Sequence, residues 1–309
     1  MTARVALVGP TASGKSRAAH AAALAAGTVE IVSLDAMAVY RGMDLATAKP
    51  TAAARAEVPY HLIDVLDPCE ELTIRRFQSM FAAVVADVAA RGRTALLVGG
   101  SGLYLRAAVD GLTIPPTDPE VRRALEDAAR RDGGLDALHG ELAAKDPVAA
   151  ARVDPRNARR VVRALEVVRA TGRPFSSFGP GLARYPATDV ALVGIRFDAA
   201  RVDAAIAARF ASWMRAGLLD ELRALLAAPG GLSRTARQAA GYHQLLAHLE
   251  GDVDLDTAVA GAIAATRRLA RRQWRWFRRD PRITWVDDAA AARTALGVRL
   301  CADGGPLGP

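Results

Sequence analysis

The sequence predicts an α/β fold in which a parallel sheet is interrupted by an all-helical insertion. Three observations lead there. Strand-like apolar runs at 5–8, 28–34, 94–98 and 190–196 alternate with helical periods, as in sheets whose parallel strands are joined by helices. The first run ends in G-x-x-x-x-G-K-S at 9–16 and leads into a helical pattern from Arg17 to about Ala26, the strand–loop–helix context of a P-loop NTPase-like core. Between 113 and 186 the texture turns helical with no convincing strand. The core is therefore expected in two parts, 1–112 and 187–309, the second mostly helical.

The first element carries the most chemistry. In Gly9-Pro10-Thr11-Ala12-Ser13-Gly14-Lys15-Ser16 the two glycines permit a turn whose successive N–H groups point inward at phosphate oxygens. The helix beginning near Lys15 adds the positive end of its dipole. Lys15 supplies a point charge for the outer phosphate, and the Ser16 hydroxyl is placed to ligate Mg²⁺. A diphosphate or polyphosphate is expected here, and the motif leaves open whose phosphates they are.

Composition bounds the rest. At 309 residues and 51% hydrophobic content the chain can bury a full core with room for an insertion. No run of about eighteen uncharged apolar residues suggests a membrane span. The sequence enters a strand almost at once, leaving no signal peptide, and Cys69 and Cys301 are too few for a disulfide framework. A reducing cytoplasm is the expectation. The formal net charge is +8, and all but three of the 41 basic residues are arginine. Arginine preference itself carries little weight, but clusters of it suggest a polyanionic partner.

In chain order, the second strand delivers Asp35 at its C-terminal end, the edge where open α/β sheets bind ligands. If the first two strands are neighbours, Asp35 lies near the phosphate loop. It has three competing roles: a water-mediated Mg²⁺ ligand, a general base for an acceptor, or a helix cap. The base is favoured. Residues 39–50 are polar and turn-rich, as in an active-site loop, with Arg41 and Lys49 available for phosphate. Tyr60 to Leu66 reads as a buried strand containing a structural, hydrogen-bonded His61. Thr73 to Ala90 is helical with Phe77, Phe81, Val84, Val85 and Val88 inward. The strand from Thr94 runs into Gly99-Gly100-Ser101-Gly102, where backbone can approach a ligand and Ser101 can face it.

Within the insertion, helices are expected around 119–132, 135–144 and 157–170, with Asp118 and Glu120 suiting the first helix start. Arg156, Arg159, Arg160 and Arg163 fall at i, i+3, i+4 and i+7, so they share one face with only Glu166 to compensate. That is more charge than solvation needs, and it points to phosphate or nucleic acid. Past 196 the chain reads as helical over 198–227, 236–248 and 255–278. The last segment carries Arg267, Arg271 and Arg275 as a stripe, with Trp274 and Phe277 as core. The stripe is either a backbone-phosphate surface or part of a diphosphate pocket. Ile283 to Val286 is a closing strand, and the Gly/Pro-rich end after Ala302 is expected to be disordered.

Taken together, these motifs resemble the bacterial tRNA dimethylallyltransferases, also called tRNA isopentenyltransferases. GPTASGKS (9–16), SLDAMAVYRGMDLATAKP (33–50), PYHLIDVLDP (59–68), LVGGSGLYLRA (97–107), RRVVRALEV (159–167) and TGRP (171–174) carry the likeness. QAAGY (238–242) and ATRRLARRQWRWFRRDPRITWVD (265–287) extend it. The resemblance implies transfer of a dimethylallyl group from dimethylallyl diphosphate to N6 of the adenosine 3′ to the anticodon of tRNA, with Mg²⁺ as cofactor and the anticodon stem-loop as partner. It implies Asp35 as base, Lys15 gripping diphosphate, and Ser101 beside the target base; a monomer is expected, although the sequence itself does not give the oligomeric state. Asp35, Ala36, Met37, Ala38 and Ser101, with Arg122 or Arg123, and Arg159, Arg160, Val161, Val162 and Arg163 of the insertion, stand at the family's tRNA-contacting positions. The target base must leave the anticodon-loop stack to reach such a pocket. Three positions depart: the family usually reads D-S-x-Q where this chain has Asp35-Ala36-Met37-Ala38, and Ala46 stands where glycine is usual.

Other readings use the same P-loop. A small-molecule kinase would have ATP as donor and Asp35 as base for a hydroxyl, but would leave the insertion arginines without a task. Transfer to free AMP keeps the chemistry and loses the need for a helical insertion. A non-catalytic RNA-binding protein would need neither the complete G-K-S nor a placed Asp35.

Overall fold

The computed structural model describes residues 3–179, 182 and 184–301, so the Gly/Pro-rich end after Ala302 lies outside the described residues. By contacts the chain divides into two compact units, one from Met1–Asp110 with Ala187–Pro309, the other Gly111–Pro186.

In the first unit, β1 (Ala3–Val8), β2 (Val29–Ser33), β3 (Tyr60–His61), β4 (Thr94–Gly99), β5 (Ala191–Ile195) and β6 (Ile283–Val286) form one sheet. Their order is β3-β2-β4-β1-β5-β6 and every pairing is parallel. β1 and β2 are therefore not neighbours, as the sequence suggested they might be; β4 lies between them. The C-terminal ends of β1, β4 and β2 still open on one edge, which brings Gly9, Gly100 and Asp35 to the same side of the sheet.

β1 shows why the sheet is covered on both faces. Ala6 and Val8 join one apolar cluster with α3 (Ile74–Ala90), α4 (Gly102–Val109) and the helices after β5. Val5 and Leu7 join a second with α1 (Lys15–Ala26) and α13 (Ala289–Cys301). Alternation of side chains along one strand puts both sets to use. The helix α13 was not anticipated. Its Ala-rich stretch gives little periodic signal, yet Ala289, Ala292 and Leu296 are buried in the second cluster.

Other boundaries shift for local reasons. Residues 60–66 do not form the expected strand: pairing stops after His61, and Leu62 and Asp64 adopt left-handed backbone (φ 59° and 55°). Asp64 is bound there by Lys49 and Arg55, so ion pairing overrides an apolar strand pattern. A short helix α2 (Ala52–Glu57) precedes it, capped by Thr51. The helix expected over 198–227 is two, α9 (Ala199–Arg215) and α10 (Leu218–Ala227), broken at Gly217 (φ 94°). The 236–248 segment is a 3₁₀ turn followed by α11 (Tyr242–Leu249), and α12 runs Leu255–Phe277. Phe277 is core as expected, whereas Trp274 is half-buried against Phe197 and Trp285.

The second unit contains α5 (Pro119–Ala129), α6 (Gly134–Lys145), the single turn α7 (Pro147–Ala150) and α8 (Ala158–Thr171), with no strand among its described residues. It has its own core around Leu125, Leu138, Leu142, Val161, Val162 and Leu165. Asp118 caps α5 by accepting from the N–H groups of Glu120 and Val121.

Candidate active site and nucleic-acid interface

The phosphate loop follows β1 directly. Gly14 takes φ 88° as the N-cap of α1, and Ala12 also has positive φ (62°), a conformation that costs a non-glycine residue of order 1 kcal/mol. The turn so formed leads into the first N–H groups of α1 at Lys15 and Ser16. Lys15 curls back, its Nζ donating to the Pro10 carbonyl at 3.1 Å. Burial pushes its pKa down to about 8, against an opposing pull from Asp35 and with a further push from Arg209. Those two charges thus act on Lys15 across the site. Arg209, on α9, makes no ion pair among the described residues; burial lowers its pKa, and its guanidinium lies over the Trp213 ring at 5.6 Å. Lys15 and Arg209 together put two half-buried cations against the single carboxylate of Asp35, an environment that a further anion relieves. Sequence reading passed over Arg209, which stands in an ordinary helical period.

Asp35 sits just beyond β2. Its Oδ1 accepts from the N–H groups of Met37 (2.8 Å) and Ala38 (3.3 Å), which fixes the carboxylate, and Oδ2 has no partner among the described residues. Of the neighbouring candidates, Ala36 and Met37 are half-buried and Ala38 is buried. Ser101 is the N-cap residue of α4, and its hydroxyl makes no capping bond, so it is available to a ligand. Tyr104 on α4 was also missed; burial raises its phenol pKa, with Tyr40 and Asp35 adding to the rise. Gln273 of α12 was hidden in an arginine run. Its Oε1 accepts from the Thr11 N–H at 2.8 Å, and a Cβ on Gly100 would lie 2.8 Å from its Nε2, so it bridges the P-loop and the Gly99–Ser101 turn.

The residues present fit Mg²⁺. Ser16 has no hydrogen-bond partner for its hydroxyl among the described residues, and Asp35 Oδ2 is unengaged. Mg²⁺ asks a protein for only one or two oxygens, taking the rest from phosphate and water. The Ser13 hydroxyl is buried in the loop without a partner.

Two expectations for the loop after Asp35 are corrected. Lys49 is not available for phosphate: its buried ammonium donates to the Tyr40 carbonyl, Asp44 and Asp64. Arg41 pairs with Asp67. The loop encloses Lys49, whereas the Arg41 pair stays at the surface.

In the insertion the predicted arginine face splits. Arg123, Arg159 and Arg160 are exposed with no ion-pair partner among the described residues. Arg163 turns inward, donating to the Pro115 and Pro116 carbonyls and to buried Glu166. Arg122 meets the same carboxylate. Burial alone would raise the Glu166 pKa, but the bonds from Arg163 and Arg122 outweigh it and hold the carboxyl below its ordinary value. Val161 and Val162 are buried in the unit's core, so their side chains cannot line an RNA surface. Arg156 precedes α8 and pairs with Asp154. On α12 the expected stripe is also revised. Arg267 and Arg271 lean on Asp203, while Arg268, Arg272, Arg275 and Arg279 are exposed and unpaired among the described residues. The first three fall at i, i+4 and i+7 on one face of α12, and Arg279 lies two residues past the helix end.

Comparison with known proteins gives the family. The family profile described as IPP transferase matches residues 38–280. A tRNA dimethylallyltransferase of Kineococcus radiotolerans is 49% identical over 287 residues, covering 91% of this chain and 90% of that protein. One from Salinispora tropica is 46% identical, covering 96% and 92%. Among solved structures, the tRNA isopentenylpyrophosphate transferase of Bacillus halodurans is 34% identical with a TM-score of 0.68, covering 97% of each chain. A P-loop sheet, a placed aspartate and a family match over most of the length lead to one assignment: the chain belongs to the IPP transferase family.

Proposed function

We propose that this protein is a tRNA dimethylallyltransferase. It moves the dimethylallyl group from dimethylallyl diphosphate to N6 of the adenosine 3′-adjacent to the anticodon, releasing diphosphate. The observation that carries this reading is a pinned carboxylate, Asp35, whose charge acts on the half-buried Lys15 of the phosphate loop together with that of Arg209 on α9. The N–H groups of 9–16, Lys15 and Arg209 receive the diphosphate and stabilise its charge as the allylic C–O bond breaks. The N6 amine attacks the allylic carbon, forming the C–N bond, and Asp35 Oδ2 takes the amine proton. Ser16 would hold Mg²⁺, which when bound supplies further neutralisation of the departing diphosphate. Ser101 hydrogen-bonds the extruded base beside Ala36, Met37 and Ala38. Arg123, Arg159 and Arg160 of the insertion neutralise phosphates of the anticodon stem-loop. Here Ala38 stands where glutamine is usual, so shape and Ser101 hold the base in place of a side-chain amide.

Among the described residues no helix is long and apolar enough to cross a membrane. The reading places the enzyme in the cytoplasm as a monomer. One incubation tests it: purified protein with Mg²⁺ and dimethylallyl diphosphate, given either tRNA or AMP, alongside ATP as donor. Prenylated tRNA alone is expected. Product on AMP, or phosphoryl transfer from ATP, would replace this reading with one of its rivals.

A further inference from the structure

We propose that Glu221, itself held by Tyr242, is a positioning residue that holds the acceptor side of the site. The inference rests on the proposed transfer to tRNA and adds the device that shapes the loop following Asp35.

Glu221, on α10, uses both carboxylate oxygens. Oε2 accepts from the backbone N–H groups of Asp44 (3.0 Å) and Leu45 (2.9 Å), and Oε1 accepts from the Tyr242 hydroxyl (2.9 Å). No lysine or arginine pairs with it among the described residues. A half-buried carboxylate without a cation is unusual on a protein so rich in arginine. Its partners explain it, since all three are donors and two belong to a loop 176 and 177 residues away in sequence. Tyr242 is fully buried, and its phenol pKa is raised by burial and by the Glu221 charge, so the hydroxyl stays a donor.

The same loop is braced from within. Lys49 joins the Tyr40 carbonyl, Asp44 and Asp64, so Asp44 is held by Lys49 at its side chain and by Glu221 at its amide. The Asp64 N–H donates to the Ala38 carbonyl, and the Val65 and Leu66 N–H groups to that of Val39. Every brace therefore ends on the stretch that begins at Asp35. Ala48, Leu62 and Asp64 take positive φ in this stretch or its braces, and of the non-glycine residues only Ala12 of the P-loop joins them among those described. Backbone strain collected at two loops marks the places where surrounding contacts enforce a shape. None of these braces bonds the P-loop, so the acceptor side can be loosened without touching the donor side.

The test uses three variants of the whole protein, with a tRNA transcript bearing adenosine 3′ to its anticodon, dimethylallyl diphosphate and inorganic diphosphate. Glu221→Ala leaves two loop amides and a phenol unpaired. It should lower kcat/KM for tRNA by ten- to a hundredfold, mainly through KM, with diphosphate affinity within about twofold. Glu221→Gln can restore every bond, its amide oxygen taking both N–H groups and its amide nitrogen donating to the Tyr242 oxygen. It should recover to within about threefold of the unsubstituted enzyme. Glu221→Gln as poor as Glu221→Ala would make the charge itself essential and overturn the positioning role. Unchanged tRNA kinetics in Glu221→Ala, or parallel loss of tRNA and diphosphate affinity, would overturn it too. Tyr242→Phe serves if the alanine variant does not fold: a three- to tenfold loss confined to tRNA is expected, and no loss would count against the proposal. No transfer to tRNA by the unsubstituted protein would remove the activity and the inference together, whereas full activity in Glu221→Ala removes the inference alone.

Discussion

At Lys15 the competition between burial and charge sets a measurable pH dependence. Its pKa of about 8 lies below the ordinary lysine value of 10.5, so the folded protein releases this proton more readily than the unfolded chain. The cost of keeping it charged is fully present below pH 8, roughly 3 kcal/mol. It fades as pH rises from 8 toward 10.5. A bound diphosphate offsets that cost, but only while Lys15 is protonated. The advantage of the unsubstituted protein over Lys15→Ala in diphosphate affinity should therefore shrink by about fivefold between pH 8 and 9. Comparing the two proteins cancels the titration of the ligand, and a constant advantage would mean that Lys15 does not carry the charge.

Asp35 makes a second prediction at the same scale. Asp35→Asn keeps an oxygen for the Met37 and Ala38 amides and loses the base. Transfer in single-turnover measurements should fall about 10²–10⁴-fold with folding and donor binding intact. Recovery of rate on raising Mg²⁺ would reassign Asp35 to the metal.

At the scale of an element, α8 separates two kinds of arginine that look alike in sequence. Arg160 is exposed and unpaired, so Arg160→Ala should weaken tRNA binding at constant melting temperature. Its salt slope should become shallower by up to about 0.9 for a duplex phosphate or 0.7 for a single-stranded one. Arg163 bonds two carbonyls and a buried carboxylate. Arg163→Ala should cost about 2–4 kcal/mol, read as a lower melting temperature of the insertion. Equal effects of the two substitutions in both assays would refute the division. Helical spacing placed both on one arc and could not tell them apart, because what distinguishes them is a turn at Pro115–Pro116 nearly fifty residues earlier. The same limit applied at Lys49, which the sequence offers as a loop cation and the fold encloses among carboxylates contributed by residues 44 and 64. P-loop geometry was legible because its glycines, lysine and flanking periods are contiguous. Arg209, Gln273 and Glu221 were not, since each reaches the site from a helix whose own pattern reports only which side faces the core.

For the whole molecule, alternating strands and helices conveyed the parallel sheet and the helical insertion, but not the order of strands. Strand order depends on which connections cross, and the sequence of β1 and β2 carries no mark that β4 will separate them. That separation has a consequence for how the enzyme comes into being. As the chain leaves the ribosome, the phosphate loop and Asp35 emerge early, with no strand yet available to sit between theirs. β4 follows, then the insertion, which has a core of its own and can condense while β1 still waits for β5. Arg209, Glu221 and Gln273 arrive later still. The nascent protein thus acquires a folded insertion before it has a completed pocket, and competence for chemistry is delayed until the chain is nearly finished.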